Sequence, residues 1–146
     1  MYQLRPLQQC NYAEWRILWE QYLVFYQTAL TEDITQTLWQ RLTAQPTIIE
    51  SCGVFDDDKL VGFMHYHTQI NTWKIGKVYY LEDLFVAVEY RGKGLGRKLI
   101  EHLYQLAEQN GYSRVYWFTD ESNKQAQKLY DKLAKQTDQL VYKYEL

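Results

Sequence analysis

Residues 86–97, VAVEYRGKGLGR, combine the end of an apolar strand, a glycine-rich loop and the start of a helix. Glycine reaches backbone conformations that are closed to other residues, and it lets a ligand come close to the main chain. The first turn of a helix presents unpaired N–H groups at the positive end of the helix dipole. We therefore expect this segment to bind an anionic group such as a phosphate.

Two common phosphate-binding loops do not fit this segment. Gly92, Gly94 and Gly96 are spaced as G-x-G-x-G, whereas the dinucleotide fingerprint is G-x-G-x-x-G. The nucleoside triphosphate loop needs a lysine followed by serine or threonine, and here Lys93 is followed by glycine. The segment fits the pattern R-x-x-G-x-G instead, with Arg91 as its first residue.

Hydrophobic periodicity on both sides of the loop predicts an α/β order of elements. Before the loop it indicates a strand at 2–6, helices at 11–30 and 31–45, and strands at 47–55, 60–73 and 77–88. After the loop it indicates a helix that ends at 110–111, a strand at 113–118, a helix at 122–135 and a strand at 140–145. Hairpin strands thus give way to strand–helix–strand connections, so we predict one α/β domain over residues 1–146 with a mixed sheet.

The composition argues against several classes of function. The chain has 146 residues and a net charge of −2, without a basic run that could follow a phosphate backbone, so nucleic acid is not expected as a partner. No stretch is long enough to cross a membrane, and the N-terminus lacks an apolar signal region, so we expect a cytoplasmic protein. Cys10 and Cys52 show neither metal nor disulfide spacing, and His65 and His67 lack a third ligand, so no metal is expected.

Three further segments carry a resemblance to a known family, the GNAT superfamily of acetyl-CoA-dependent N-acetyltransferases. R-x-x-G-x-G is the pyrophosphate-binding signature of that superfamily. YLEDLFV at 80–86 resembles the strand before this loop in spermidine/spermine acetyltransferases. VYWFTDESN at 115–123 and AQKLY at 126–130 are similar to the histone and polyamine acetyltransferases. The resemblance covers nearly the whole chain and implies the GNAT fold: strand, two helices, three strands, helix, strand, helix, strand.

The resemblance also implies acetyl-CoA as cosubstrate. In GNAT enzymes the pantetheine arm of the cofactor runs between two splayed strands, and its pyrophosphate lies on the glycine loop. The implied cofactor-binding residues belong to the strand, the loop and the asparagine before the last helix: Leu84, Phe85, Val86, Arg91, Gly92, Lys93, Gly94, Leu95, Gly96, Arg97 and Asn123.

The chemistry needs a base, because an alkylammonium group must lose a proton before its nitrogen can attack a thioester. The resemblance places this carboxylate at Glu82, with Asp83 as the second candidate. Successive strand residues point to opposite faces, so both can face the acceptor only if a bulge re-aims one of them. Tyr130 matches the tyrosine that acts as general acid near the cofactor sulfur. Glu32 and Asp33 fall where the family places its acceptor-shaping loop; they could bind a distal ammonium or cap a helix.

The first hypothesis for the acceptor is a small polyamine-like amine, acetylated by direct attack in a ternary complex. The alternatives are lysines of histone-like tails, and amino acids or thialysine-like analogues, for which a cation near the acceptor carboxylate is expected. The non-enzyme alternative is a CoA-binding regulatory module, which has no need of Glu82 and Tyr130.

We predict a symmetric homodimer, with a tetramer as the alternative. The prediction rests on the strand-forming segment 140–146, which would leave an unpaired edge, and on the resemblance to polyamine acetyltransferases, which are dimers.

Overall fold

The computed structural model describes residues 1–146, which form a five-stranded sheet flanked by four α-helices. The strands are β1 (Tyr2–Arg5), β2 (Glu50–Asp56), β3 (Lys59–Gln69), β4 (Val78–Val86) and β5 (Arg114–Tyr116). The helices are α1 (Tyr12–Phe25), α2 (Glu32–Thr43), α3 (Leu95–Gln109) and α4 (Lys124–Leu133). Short 3₁₀ helices at Leu7–Gln9 and Val88–Tyr90 precede α1 and the glycine loop. None of the helices is both long and apolar enough to span a bilayer.

The sheet is mixed, with the strand order β1-β2-β3-β4-β5. The first four strands pair antiparallel with their neighbours, whereas β5 runs parallel to β4 because α3 carries the chain back across the sheet. This parallel pairing is short and joins only residues 78–80 to residues 114–116. Beyond residue 80, therefore, no strand pairs with that edge of β4.

Apolar side chains on the two faces of the sheet form two separate cores. One core joins the sheet to α1 and α2 and contains Trp15, Trp19 and Phe63. The other core joins the sheet to α3 and contains Met64 and Leu99. Consecutive residues of β3 thus belong to different cores, as the alternation of side chains along a strand requires.

Helix α1 begins with a capping box that the sequence analysis did not identify. The side chain of Asn11 accepts a hydrogen bond from the backbone N–H of Glu14 at 2.9 Å, and the Glu14 carboxylate accepts one from the backbone N–H of Asn11 at 3.1 Å. The helix ends at Phe25, earlier than the predicted Leu30, and Gln27 follows with a left-handed φ of 53°. Residues 26–31 therefore form the connection between α1 and α2.

The predicted mixed α/β fold is confirmed, but the predicted last strand is absent. Residues 134–146 form neither helix nor strand, and the side chains of Leu140 and Tyr142 are 79% and 90% exposed. Residues with high β propensity form a strand only where a neighbouring backbone accepts and donates hydrogen bonds. Residues 135–146 make no backbone hydrogen bond within this chain.

Candidate active site

The glycine loop leaves the start of α3 open to an anion. Gly92 and Gly94 have φ of 76° and 77°, and a Cβ on either residue would meet nothing within 4 Å. Gly94 is the N-cap of α3, so no side chain caps the helix, and the first turn carries no acidic residue. The unpaired N–H groups of that turn, together with the helix dipole, fit the phosphates of a nucleotide-type cosubstrate.

The loop also contains three basic residues, Arg91, Lys93 and Arg97, and each has a different environment. Arg91 braces the loop, because its Nε donates to the carbonyl oxygen of Val86 at 3.0 Å and its backbone N–H donates to that of Val88 at 3.2 Å. Lys93 is exposed, and the Nε of Arg97 donates to a carboxylate oxygen of Glu101 at 2.7 Å. Leu95 is buried in the core beneath α3, and a Cβ on Gly96 would touch only a methyl group of Leu129, at 3.7 Å. Lys93 and Arg91 therefore stay free of carboxylates, whereas Arg97 is paired with one.

The parting of β4 and β5 exposes a strand edge next to this loop. Leu84 and Val86 pack toward the core under α3, and Phe85 packs toward α1. Because β5 pairs with β4 only up to Tyr80, the backbone edge of β4 from Leu81 to Val86 has no strand neighbour on that side. An extended group such as a pantetheine arm could pair with these backbone groups, and the open edge leads directly to the glycine loop.

A β-bulge in β4 places two consecutive carboxylates on one face of the sheet. Asp83 lies opposite His65, and Leu81 lies opposite Tyr66, so Glu82 is the extra residue without a partner in β3. A bulge re-aims the side chains of the strand that contains it. Both Glu82 and Asp83 consequently contact histidines that share one face of β3.

Asp83 is the more enclosed of the two carboxylates, with 16% of its side chain exposed. Its Oδ2 lies 3.0 Å from Nδ1 of His65, and its Oδ1 accepts a hydrogen bond from the Tyr22 hydroxyl at 2.8 Å. Burial is the main cause that raises the pKa of Tyr22, followed by the charge of Asp83, so this phenol keeps its proton and donates it. Asp83 is therefore held from both α1 and β3.

Glu82 is the more accessible carboxylate, with 51% of its side chain exposed. One of its oxygens lies 3.0 Å from Nε2 of His67, and the His67 ring contacts Tyr80 edge-on, with 5.3 Å between centroids. Neither Glu82 nor Asp83 forms an ion pair with a lysine or arginine. The two negative charges can thus attract a cationic ligand.

Tyr130 lies on α4 and packs against the core under α3. Its ring packs edge-on against Trp117, with 5.4 Å between centroids, and burial raises its pKa to about 12. The second cause of that shift is Tyr26, whose own pKa is raised by burial and then by the charges of Asp120 and Asp83. Tyr26 is therefore near enough to influence the pKa of Tyr130 and to be influenced by Asp83.

The remaining predicted site residues lie at helix starts. Asn123 is the N-cap of α4, where its side chain accepts from the backbone N–H of Ala126 at 3.4 Å. Glu32 accepts from the Tyr12 hydroxyl at 2.9 Å and pairs with Arg16.

Two consequences follow for the acidic residues at the start of α2. The pKa of Glu32 is lowered, first by the hydrogen bond from Tyr12, and its charge is already compensated by Arg16. Asp33 is exposed to solvent. The contacts of Glu32 tie it to α1 rather than to Glu82 and Asp83.

Sequence reasoning missed three residues that contact the carboxylates: Tyr22, His65 and His67. The two histidines had been considered only as metal ligands, and no group of three or more potential ligands that could hold a metal ion exists in the structure. Their i, i+2 spacing in a strand predicted to pair with the strand of Glu82 was the available signal. For Tyr22 the sequence contains no comparable signal beyond its position on the aromatic face of α1.

The open edge of β4, the uncapped start of α3 and the two carboxylates together form a candidate site for acyl transfer. Residues 11–134 match the model of the acetyltransferase (GNAT) family, and the chain belongs to this family. It is therefore an acetyl-CoA-dependent N-acetyltransferase.

Similar proteins include several N-acetyltransferases. The D-amino-acid N-acetyltransferase HPA3 of Saccharomyces cerevisiae is 37% identical over 131 residues, which cover 88% of this chain and 81% of that protein. The thialysine N-epsilon-acetyltransferase of Bos taurus is 39% identical over 77 residues, 53% of this chain and 45% of that protein. The fold is similar to that of an aminoglycoside N-acetyltransferase solved in complex with CoA, with a TM-score of 0.81, 19% identity and coverage of 99% and 95% of the two chains.

The glycine loop generates the first prediction. Gly94→Glu is expected to abolish acetyl-CoA binding, because the new side chain would extend over the N–H groups that begin α3. Gly111→Glu is the matched control: Gly111 has a φ of 67°, is equally open, and lies beyond the opposite end of the same helix. Titration calorimetry with acetyl-CoA on both folded variants measures the difference, and equal affinities would remove the loop from the cofactor site.

Proposed function

We propose that the protein transfers the acetyl group of acetyl-CoA to a primary amine of a small cationic acceptor. The observation that carries this proposal is the bulge, which gathers Glu82 and Asp83 on one face at the open edge of β4. In this arrangement the cosubstrate would lie along the β4 edge and on the start of α3. It supplies an activated thioester when bound, and the carboxylates attract the acceptor from the α1 side of the sheet.

Glu82 is the base in this proposal. A lysine-like amine is largely protonated at neutral pH, so its nitrogen has no lone pair for attack. The exposed Glu82 carboxylate removes one proton from the ammonium, directly or through water, and passes it to solvent. The freed amine nitrogen then forms the N–C bond to the acetyl carbonyl carbon as the C–S bond breaks.

Tyr130 is the acid in this proposal. The leaving thiolate takes up one proton, and a phenol can donate it. Because burial raises the pKa of Tyr130 to about 12, the hydroxyl stays protonated throughout the neutral range. The nitrogen loses a second proton as the amide forms, and this proton also leaves to solvent through Glu82. Tyr130 is reprotonated from solvent, so one turnover with an ammonium acceptor releases one proton overall.

Two acceptor classes receive support from different observations. An amino-acid acceptor is supported by the relatives named as D-amino-acid and thialysine acetyltransferases. A polyamine is supported by the carboxylate pair itself, because neither Glu82 nor Asp83 is neutralised by a lysine or arginine. We favour the amino-acid class, and within it a basic side chain, whose ammonium suits the carboxylate pair; the cation expected near the acceptor carboxylate is not among the contacts of Glu82 and Asp83.

The test is an acceptor panel at saturating acetyl-CoA, with release of free thiol as the signal. It comprises D- and L-amino acids, thialysine, spermidine, spermine, a diamine and a histone-tail peptide. Turnover with D-amino acids or thialysine, above that with polyamines, is expected. Faster turnover with spermidine would select the polyamine class, and turnover with the peptide alone would overturn the small-acceptor proposal.

Glu82→Gln is expected to lower kcat by about 10²–10⁴-fold at pH 7, the usual size of a general-base contribution. The deficit should shrink as pH rises, because the free amine becomes more abundant and needs the base less. Glu108→Gln, an exposed change on α3, is the control and should leave kcat unchanged. A Glu82→Gln variant as active as the control at pH 7 would exclude Glu82 as the base.

Tyr130→Phe is expected to lower kcat by at least about tenfold while acetyl-CoA affinity stays constant, since only the hydroxyl is lost. Tyr104→Phe is the matched control, because Tyr104 is also half-buried and its hydroxyl donates to the carbonyl oxygen of Leu133 in α4 at 2.9 Å. Steady-state kinetics and calorimetry separate the two effects. Equal losses of kcat and of cofactor affinity in Tyr130→Phe would indicate packing instead of proton donation.

We also propose that the exposed terminal segment, residues 140–146, joins two copies into a homodimer. Its apolar side chains, Leu146 and Tyr144 among them, are largely exposed, and its backbone makes no hydrogen bond within the chain. Light scattering should give a dimer mass for the full chain and a monomer mass for residues 1–139. The same mass for both would exclude this segment as the interface.

The location of the protein in the cytoplasm stays a prediction.

A further inference from the structure

His65 is a buried histidine that the proposed chemistry does not use. It is 1% exposed and lies against the rings of Phe63 and Trp19, with centroids 4.7 and 5.5 Å away. An apolar side chain would pack against these rings equally well. A polar group in such a place costs free energy unless its hydrogen bonds are satisfied, and both ring nitrogens of His65 have a partner.

The partners of His65 determine which nitrogen carries its proton. Nε1 of Trp15 lies 3.2 Å from Nε2 of His65, and an indole N–H can only donate. Nε2 must therefore accept, which leaves the proton on Nδ1. That proton is donated to Oδ2 of Asp83 at 3.0 Å.

The Asp83 carboxylate consequently receives one donor on each oxygen. Nδ1–H of His65 binds Oδ2, and the Tyr22 hydroxyl binds Oδ1 at 2.8 Å. Hydrogen bonds to the charged form of a carboxylate stabilise it as an anion and fix its orientation. Tyr22 belongs to α1 and His65 to β3. The Asp83 carboxylate therefore cannot rotate without breaking its hydrogen bond to one of these two elements.

We propose that Trp15 and His65 are positioning residues for acceptor recognition: Trp15 sets the tautomer of His65, and His65 holds Asp83 as an anion directed at the acceptor ammonium. This inference rests on the proposed function and adds to it the residues that determine the preference for a cationic acceptor. Neither residue touches the acceptor; both act through Asp83.

Groups from four elements, α1, β2, β3 and β4, surround the His65 ring. Asp83 on β4 is the charged group in contact with it, and Tyr22 on α1 is the titratable group beyond. The remaining contacts are Trp15 and Trp19 from α1 and Phe63 from β3, while Ser51 of β2 lies opposite in the sheet. A second proton on His65 would cancel the charge of Asp83, and the indole N–H of Trp15 occupies the nitrogen that would receive it.

A matched pair of amide substitutions tests the role of His65. The asparagine amide lies at about the distance of Nδ1 from the backbone and can still donate to Asp83, whereas the glutamine amide lies near Nε2. His65→Gln is expected to raise the acceptor KM by about tenfold or more, since a hydrogen bond to a charged group is lost. His65→Asn should raise it less, and acetyl-CoA affinity should stay constant in both variants.

Tyr22→Phe removes only the second donor to Asp83 and serves if either His65 variant fails to fold. It is expected to raise the acceptor KM by several-fold at constant acetyl-CoA affinity. A purely structural role predicts a lower melting temperature without a selective change in acceptor KM, in all three variants.

Trp15→Phe tests the tautomer. Removing the indole N–H frees Nε2 of His65 to take up a proton, so the acceptor KM of this variant should rise more steeply than that of wild type as pH falls from 8 to 5.5. Trp39→Phe is the control, because the Trp39 ring packs against Trp15 at a tilt of 32° with centroids 5.2 Å apart. Identical pH profiles for the two tryptophan variants would overturn the role of Trp15.

Nitrogen-15 NMR of the imidazole gives a measurement that does not depend on turnover. Wild-type His65 should show the proton on Nδ1, and a proton on Nε2 would overturn the network. If wild type acetylates none of the amines in the panel, the proposed function fails and this inference with it. If wild type is active but both His65 variants have its acceptor KM, this inference alone fails.

Discussion

The bulge at Glu82 is the constraint on which both halves of the candidate site depend. Up to Tyr80, β4 pairs with β3 on one side and with β5 on the other; beyond that point only the β3 pairing continues. A bulge bends and twists its strand, and it falls where β5 stops pairing. The bulge therefore coincides with the open edge that leads to the glycine loop. It also places the two carboxylates on one face. A regular β4 would have directed Glu82 and Asp83 to opposite faces.

The parts of the site that the sequence predicted well are those encoded locally. Gly92 and Gly94 are glycines because their φ values are positive, and the helix after them carries its apolar residues at helical spacing. The bulge was not predictable in the same way. A strict alternation of side chains assigned Glu82 and Asp83 to different faces, and only the condition that a bulge intervenes allowed both to reach the acceptor. No residue type marks a bulge as strongly as glycine marks a positive φ.

The other differences arise because strands and charges are defined by what lies beside them. Residues 140–145 have the side chains of a strand, yet the structure gives them no neighbouring backbone. Glu32 has the charge expected of an acceptor-binding residue, yet the side chains of Arg16 and Tyr12 on α1 already engage it. Both cases share one cause: the sequence gives the capacity of a group to interact, and the fold decides whether that capacity is already used within the chain.

The environments of the two carboxylates suit them to different tasks. Asp83 is enclosed and receives a hydrogen bond on each oxygen, from His65 and Tyr22, so it is fixed in orientation and poorly placed to exchange protons with water. Glu82 is half exposed and has one histidine partner, so solvent reaches its free oxygen. An amine acceptor needs both properties, because a fixed anion binds its ammonium form while a solvated carboxylate removes the proton. Exchanging the two environments would leave a base that cannot release its proton and an anion that water screens.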